Sequence, residues 1–315
     1  MVTKTLAQRY KKRTHHRSLS GGPDKYAGYV FVAPWFFGFL AFTLFPMMMS
    51  LYISFTNYDM LSSPVWVGIQ NYKDIFLNDE LFRESVRVTL VYVLLHVPLR
   101  LLFSLAVAVL LFKTGSRIVA FYRAVFYIPS IIGGSVAIAV MWRQIFGSGG
   151  AINAILLKLG LIDRTIGWLG NPDTALGTLV ILAVWQFGSP MLIFLAGLKQ
   201  IPESYYEAAA IDGAGAWRKF IMITLPLLTP VIFFNVLMQI IRGFMCFTEA
   251  YVVTNGGPFN KTLFYVLYLF QKSFSYYQMG YGCALAWILL IFIGFFTVII
   301  FRTSNYWVYY ESEGK

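Results

Sequence analysis

Asn235, Gln239, Arg242, Cys246 and Glu249 follow one another at offsets of 4, 7, 11 and 14 from the first. On a helix of about 3.6 residues per turn these offsets put five polar groups on one face. Tyr92, His96, Arg100 and Ser104 repeat every fourth residue, and Trp185, Gln186 and Ser189 form a third group. All three groups interrupt apolar runs. Polar groups inside a bilayer are expensive and usually face a bundle interior or a water-filled cavity. Aromatic faces, amides and guanidiniums converging on a cavity suit a small polar ligand. The competing reading is that these groups are glue between packed helices. Other chemistries find no support. Cys246 and Cys283 lie in apolar runs, and the three His residues are scattered. No Cys/His set has metal-ligand spacing, and no Gly-x-x-x-x-Gly-Lys-Ser/Thr loop occurs to cradle a nucleotide.

The elements that must position these groups are transmembrane helices. Only 12% of the 315 residues are charged, while 58% are hydrophobic; a soluble domain carries about 25% charged residues. The net charge of +11 therefore does not describe a nucleic-acid binder, and the wealth of aromatics excludes disorder. Windows poor in charge and long enough to cross a bilayer predict six helices near 28–56, 85–112, 120–145, 174–199, 221–249 and 279–302. The fold expected is all-α and polytopic. A basic tail (1–26) precedes the membrane domain (27–305), and a short tail (306–315) follows it. Placing both termini in the cytoplasm puts 15 of the 25 Lys and Arg inside and 7 outside, as the positive-inside rule requires. Residues 57–84 and 147–173 then form outer segments, the second rich in glycine.

The cytoplasmic loop between the fourth and fifth helices (201–226) is the most specific stretch. Pro202 with Glu203 starts a helix, Glu207-Ala208-Ala209-Ala210 makes a slim turn, and Asp212-Gly213 stops it. A second short helix around 216–223 leads to Leu225-Pro226. This string resembles the EAA loop of binding-protein-dependent ABC importer permeases, in which Glu-Ala-Ala is followed by a glycine and then Leu-Pro. Phe45-Pro46, Val67-Gly68-Ile69-Gln70-Asn71-Tyr72, Tyr127-Ile128-Pro129 with Trp142, Gly150 and Asn153, and Asn255-Gly256-Gly257-Pro258 extend the resemblance over residues 26–305. The nearest likeness is the maltose-permease type of the carbohydrate-uptake branch, without its extra N-terminal spans and large outer insertion.

The resemblance implies the type I ABC importer permease fold in a bacterial inner membrane. It implies a chain that is not itself an enzyme. Its partners would be a second permease, two cytoplasmic ATPases that bind ATP and Mg, and an extracytoplasmic solute-binding protein. Glu207, Ala208, Ala209, Asp212 and Gly213 would form the helix that couples to an ATPase. Substrate-contacting places of the maltose type fall on Trp185, Gln186, Ser189, Gln239, Gly243 and Cys246. Arg100 and Arg242 would add two guanidiniums to the cavity, which suits carboxylates and hence an acidic oligosaccharide such as a uronate fragment. Pairing of Arg242 with Glu249 through a neighbour is the alternative. A permease for another polar solute, such as a glycerol phosphate, and an ion-driven secondary transporter are the rival functions.

Overall fold

The computed structural model describes residues 26–112 and 116–309, and the chain divides into two compact units, 1–52 and 53–315. Apart from Tyr26, the expected basic tail lies outside the described residues, as do 113–115 and 310–315.

The first unit carries one apolar helix. It comprises α1 (Ala27–Phe39), a π-helical turn (Leu40–Leu44) and the start of α2 (Phe45–Ser54). Pro46 has no N–H to return to the preceding turn. The helix widens just ahead of it, the Phe45 amide bonding to the Leu40 carbonyl five residues back. The same device recurs where Leu225 bonds to the Phe220 carbonyl directly before Pro226.

In the second unit a two-residue ladder pairs β1 (Thr56–Asn57) with β2 (Val65–Trp66), and the short α3 (Gln70–Leu77) follows. The long α4 (Glu80–Phe112) is the axis of the bundle. Against it pack α8 (Ala175–Trp185), α9 (Gly188–Leu198), α12 (Leu225–Phe244) and α13 (Tyr265–Phe270). The remaining elements are α5 (Ser116–Ile132), α6 (Val136–Ile145), α7 (Ala151–Lys158), α10 (Glu203–Ile211), α11 (Ala216–Lys219) and α14 (Met279–Trp307). Leu179, Leu182, Met191, Phe194, Leu228 and Leu285 fill the centre. The end of α14 returns to the start of α12, where the Tyr309 amide donates to Thr229 Oγ1 at 2.9 Å.

Four described helices are long and apolar enough to cross a membrane, and two bent pairs bring the number to six. The pairs revise the sequence reading: α5 and α6 meet at 98°, and α8 and α9 at 43°. The sixth helix also runs on to Trp307.

Two polar knots hold the segments between spans. Buried Asn153 donates to the carbonyls of Gly147, Ser148 and Ile166 and accepts from the Ile166 amide and Trp168 Nε1, tying the glycine-rich 147–173 segment to α7. Asp79 caps α4, accepting the Phe82 amide at 2.9 Å. Its other oxygen accepts from the hydroxyls of Tyr268 and Tyr281, on α13 and α14. Lys272 lies over the Tyr268, Tyr276 and Tyr281 rings, 4.9 Å from the last.

Candidate functional site

The break between α8 and α9 begins with a missing donor. In an unbroken helix the Gln186 carbonyl would accept from residue 190, but that residue is proline. With no water in a bilayer core, side chains must satisfy the freed carbonyl. An Arg100 Nη2 donates to it from α4, and Ser130 Oγ donates to it from α5 at 2.8 Å. The Ser130 oxygen also accepts the Ser189 amide at 2.8 Å, so the hydroxyl stands in for a missing helical rung. Ser104, one turn from Arg100, shares its proton between the Arg100 carbonyl at 2.6 Å and the next carbonyl of the break, Phe187, at 3.0 Å. The Gln186 side chain lies against Gly133, within the break between α5 and α6.

Around this junction the structure collects most of the expected residues. Trp185 is half-buried, 5.7 Å from Trp142 between ring centroids, and Trp142 stacks on Phe146. Gln186, Gln239 and Cys246 are buried and Ser189 is half-buried. Four buried polar atoms have no hydrogen-bond partner among the described residues: Arg100 Nε, Trp142 Nε1, Asn235 Oδ1 and Gln239 Oε1.

Three expectations need correction. The fifth span was read as one helix to residue 249, but α12 ends at Phe244 with Met245 as its cap. Cys246 and Glu249 therefore lie beyond the helix, where the 3.6-residue register no longer governs. Cys246 Sγ approaches Glu249 Oε2 at 3.7 Å instead. Secondly, Arg242 does not share the buried face of Asn235 and Gln239: its side chain is exposed, and no direct ion pair joins it to Glu249 among the described residues. It is within electrostatic reach of Arg100. Thirdly, the face of Gly243 is not open to a ligand. A Cβ there would stand 2.5 Å from His96 Cε1 and 2.9 Å from Val93 Cγ2, so the glycine serves close approach of α12 to α4.

Ser104 belongs to the polar stripe read from the sequence, whereas Ser130 and Gly133 lie outside every group that reading singles out. One signal was readable: a proline four residues after Gln186 announces an orphaned carbonyl.

The hairpin between α9 and α12 has the expected form. Pro202 precedes α10, and Asp212 ends it. Gly213 takes φ +74°, the Ala214 amide bonds to the Ala209 carbonyl and the Gly213 amide to Ala210. These two bonds with a left-handed glycine are a Schellman stop. Tyr206 Oη pairs with Thr224 Oγ1 at 2.9 Å, fixing the hairpin to the base of the fifth span. Glu207, Ala208, Asp212 and Gly213 are exposed, and Ala209 is half-buried. A groove of about 260 Å³ runs between Ala209, Asp212, Arg218, Lys219 and Met222.

Residues 89–306 match the family of binding-protein-dependent transport system inner membrane components. The chain is 54% identical over 299 residues to the probable ABC transporter permease protein YesP of Bacillus subtilis, covering 94% of this chain and 96% of that one. It is 37% identical to the arabinooligosaccharides transport system permease protein AraP of the same organism, covering 89% of each. Its fold is similar to a chain of a bacterial ABC transporter involved in the import of the acidic polysaccharide alginate, with TM-score 0.76 at 19% identity over 96% of this chain and 98% of that one. Continuous and broken apolar helices around a polar junction, an exposed Schellman-capped hairpin and these likenesses have one reading: the chain is a multi-pass ABC transporter permease subunit, not an enzyme, and belongs to the binding-protein-dependent transport system inner membrane component family.

Proposed function

We propose that the chain is one of two permease subunits of an ATP-driven importer. It passes an oligosaccharide from an extracytoplasmic binding protein to the cytoplasm, with both its termini on the cytoplasmic side. The observation carrying this reading is the exposed hairpin. Glu207, Ala208 and Ala209 form one slim turn of α10, and Gly213 turns the chain back sharply. A helix of this form fits a cleft on an ATPase, where Glu207 would meet a basic residue. ATP and Mg act on the partner ATPases, whose closure would move the spans as rigid bodies. Sugars are favoured because relatives carry names such as arabinooligosaccharides permease and lactose permease. Trp185, Gln186, Ser189, Gln239 and Cys246 supply the ring face and hydrogen-bonding groups for one sugar unit. Vanadate-sensitive uptake that requires a co-expressed ATPase, abolished by Glu207→Lys with insertion intact, is the expected result. Normal uptake by Glu207→Lys would refute the coupling assignment.

A finer reading concerns charge. The Arg242 guanidinium is exposed, has no ion pair among the described residues, and sits one turn from Gln239. Such a group suits a carboxylate, and so a uronate-containing oligosaccharide. Binding-protein affinity and ATPase stimulation measured with neutral and uronic oligosaccharides test this. Stimulation by neutral sugars alone would eliminate it.

A further inference from the structure

We propose that Arg100 and Ser130 are positioning residues: through the Gln186 carbonyl they fix the break of the fourth span and so aim Trp185, Gln186 and Ser189, while Arg100 itself takes no sugar. A buried guanidinium is costly unless its donors are used. Arg100 is 6% exposed and spends an Nη2 on a backbone carbonyl of its own chain, while its Nε is without a partner among the described residues. That carbonyl needs the donor, because Pro190 cannot supply one. The grip is double. Ser104, on the same helix, faces the Phe187 carbonyl at 3.0 Å with a hydroxyl it shares with the Arg100 carbonyl at 2.6 Å, so α4 contacts two consecutive acceptors of the break. Ser130 completes the brace from the opposite helix, spanning Gln186 O and Ser189 N with one hydroxyl. Three side chains on two helices thus define the backbone that carries the residues proposed to meet substrate.

Only the uptake arm of the test rests on the transport reading above. Hydrogen–deuterium exchange of the chain in nanodiscs reads the brace without any ligand. Ser130→Ala removes the acceptor of the Ser189 amide, and exchange there is expected to rise by roughly tenfold, the factor carried by one lost hydrogen bond. Ser130→Thr keeps the hydroxyl and should restore protection. Ser104→Ala is the second variant if Ser130→Ala fails to insert, and is expected to raise exchange across 186–191. Unchanged exchange at Ser189 in Ser130→Ala, or across 186–191 in Ser104→Ala, overturns the proposal.

In the assembled importer, arabinotriose and trigalacturonate serve as neutral and acidic probes. Arg100→Ala and Ser130→Ala should lower uptake of whichever probes the wild type carries by a common factor, with partial rescue by Arg100→Lys. A loss in Arg100→Ala confined to the acidic probe would make Arg100 a ligand and overturn the proposal. Uptake of neither probe by the wild type would count against the oligosaccharide reading, while the exchange measurement still decides the brace.

Discussion

Gly133 and Gln186 touch across the two broken spans: a Cβ on the glycine would stand 2.5 Å from the amide carbon of the glutamine, and equally close to the Pro129 carbonyl. The Gln186 side chain can therefore occupy its place only while residue 133 has none. Gly133→Ala must move either the glutamine or the backbone of α5, an overpacking effect of about 1–3 kcal/mol. Transport is expected to fall at least as much as thermal stability. Uptake assays beside a melting curve in nanodiscs check this, and an alanine variant with wild-type uptake would show the contact to be dispensable.

Gly213→Ala is expected to leave insertion intact and weaken coupling. The φ of +74° disfavours any side chain, by about 1 kcal/mol for alanine. The residue is exposed, so the cost falls on the hairpin turn and not on a core. ATPase activity uncoupled from uptake, or loss of ATPase capture in a pull-down, is the measurement.

Asn153→Ala should release the 147–173 segment. It deletes five hydrogen bonds around a fully buried amide and strands the Trp168 indole N–H and the Ile166 amide. A loss of about 3–5 kcal/mol follows from stranding several buried groups at once. Limited proteolysis of the reconstituted protein should cut within 147–173 far faster than in the wild type.

Asp79 predicts an acid limit to stability. Partial burial works to raise its carboxyl, but the hydroxyls of Tyr268 and Tyr281, the Phe82 amide and Lys272 together hold it below the usual aspartate value. A lowered folded value stabilises the protein fully above roughly pH 4, and that stability is lost as pH falls through the folded value. Asp79→Asn should be less stable at pH 7, by about 1–2 kcal/mol once solvent screening is allowed for. It should also lose this part of the acid dependence. Melting temperatures of both proteins from pH 3 to 7 decide the matter.

How much of this was legible depended on whether the cause was local. The Schellman stop at Gly213 is written in six consecutive residues, Ala209 to Ala214, and the hairpin has the expected form. The six spans followed from the scarcity of charge, a property that a one- or two-residue break leaves untouched. Hydropathy therefore could not reveal the bends at Gly133–Ser135 and Gln186–Phe187, although Pro190 marked one of them. The helical face drawn through Asn235 and Gln239 failed at its far end because periodicity assumes that the helix continues, and α12 stops at Met245. Arg100 was recognisable as a costly intramembrane charge. Its acceptor was not, because a backbone carbonyl 86 positions away leaves no mark on residue identity.

The hairpin also bears on how the protein can be made. Ile211 is 88% exposed on the hairpin ahead of the fifth span, and Trp217 is 73% exposed in the first turn of that span. Large apolar groups presented together to water invite self-association and attract the quality-control machinery that removes unassembled chains. A cell that synthesises this subunit in excess of whatever covers those two residues would accumulate a sticky, short-lived product. Balanced co-expression with whatever covers the hairpin is therefore expected to raise the yield of intact protein.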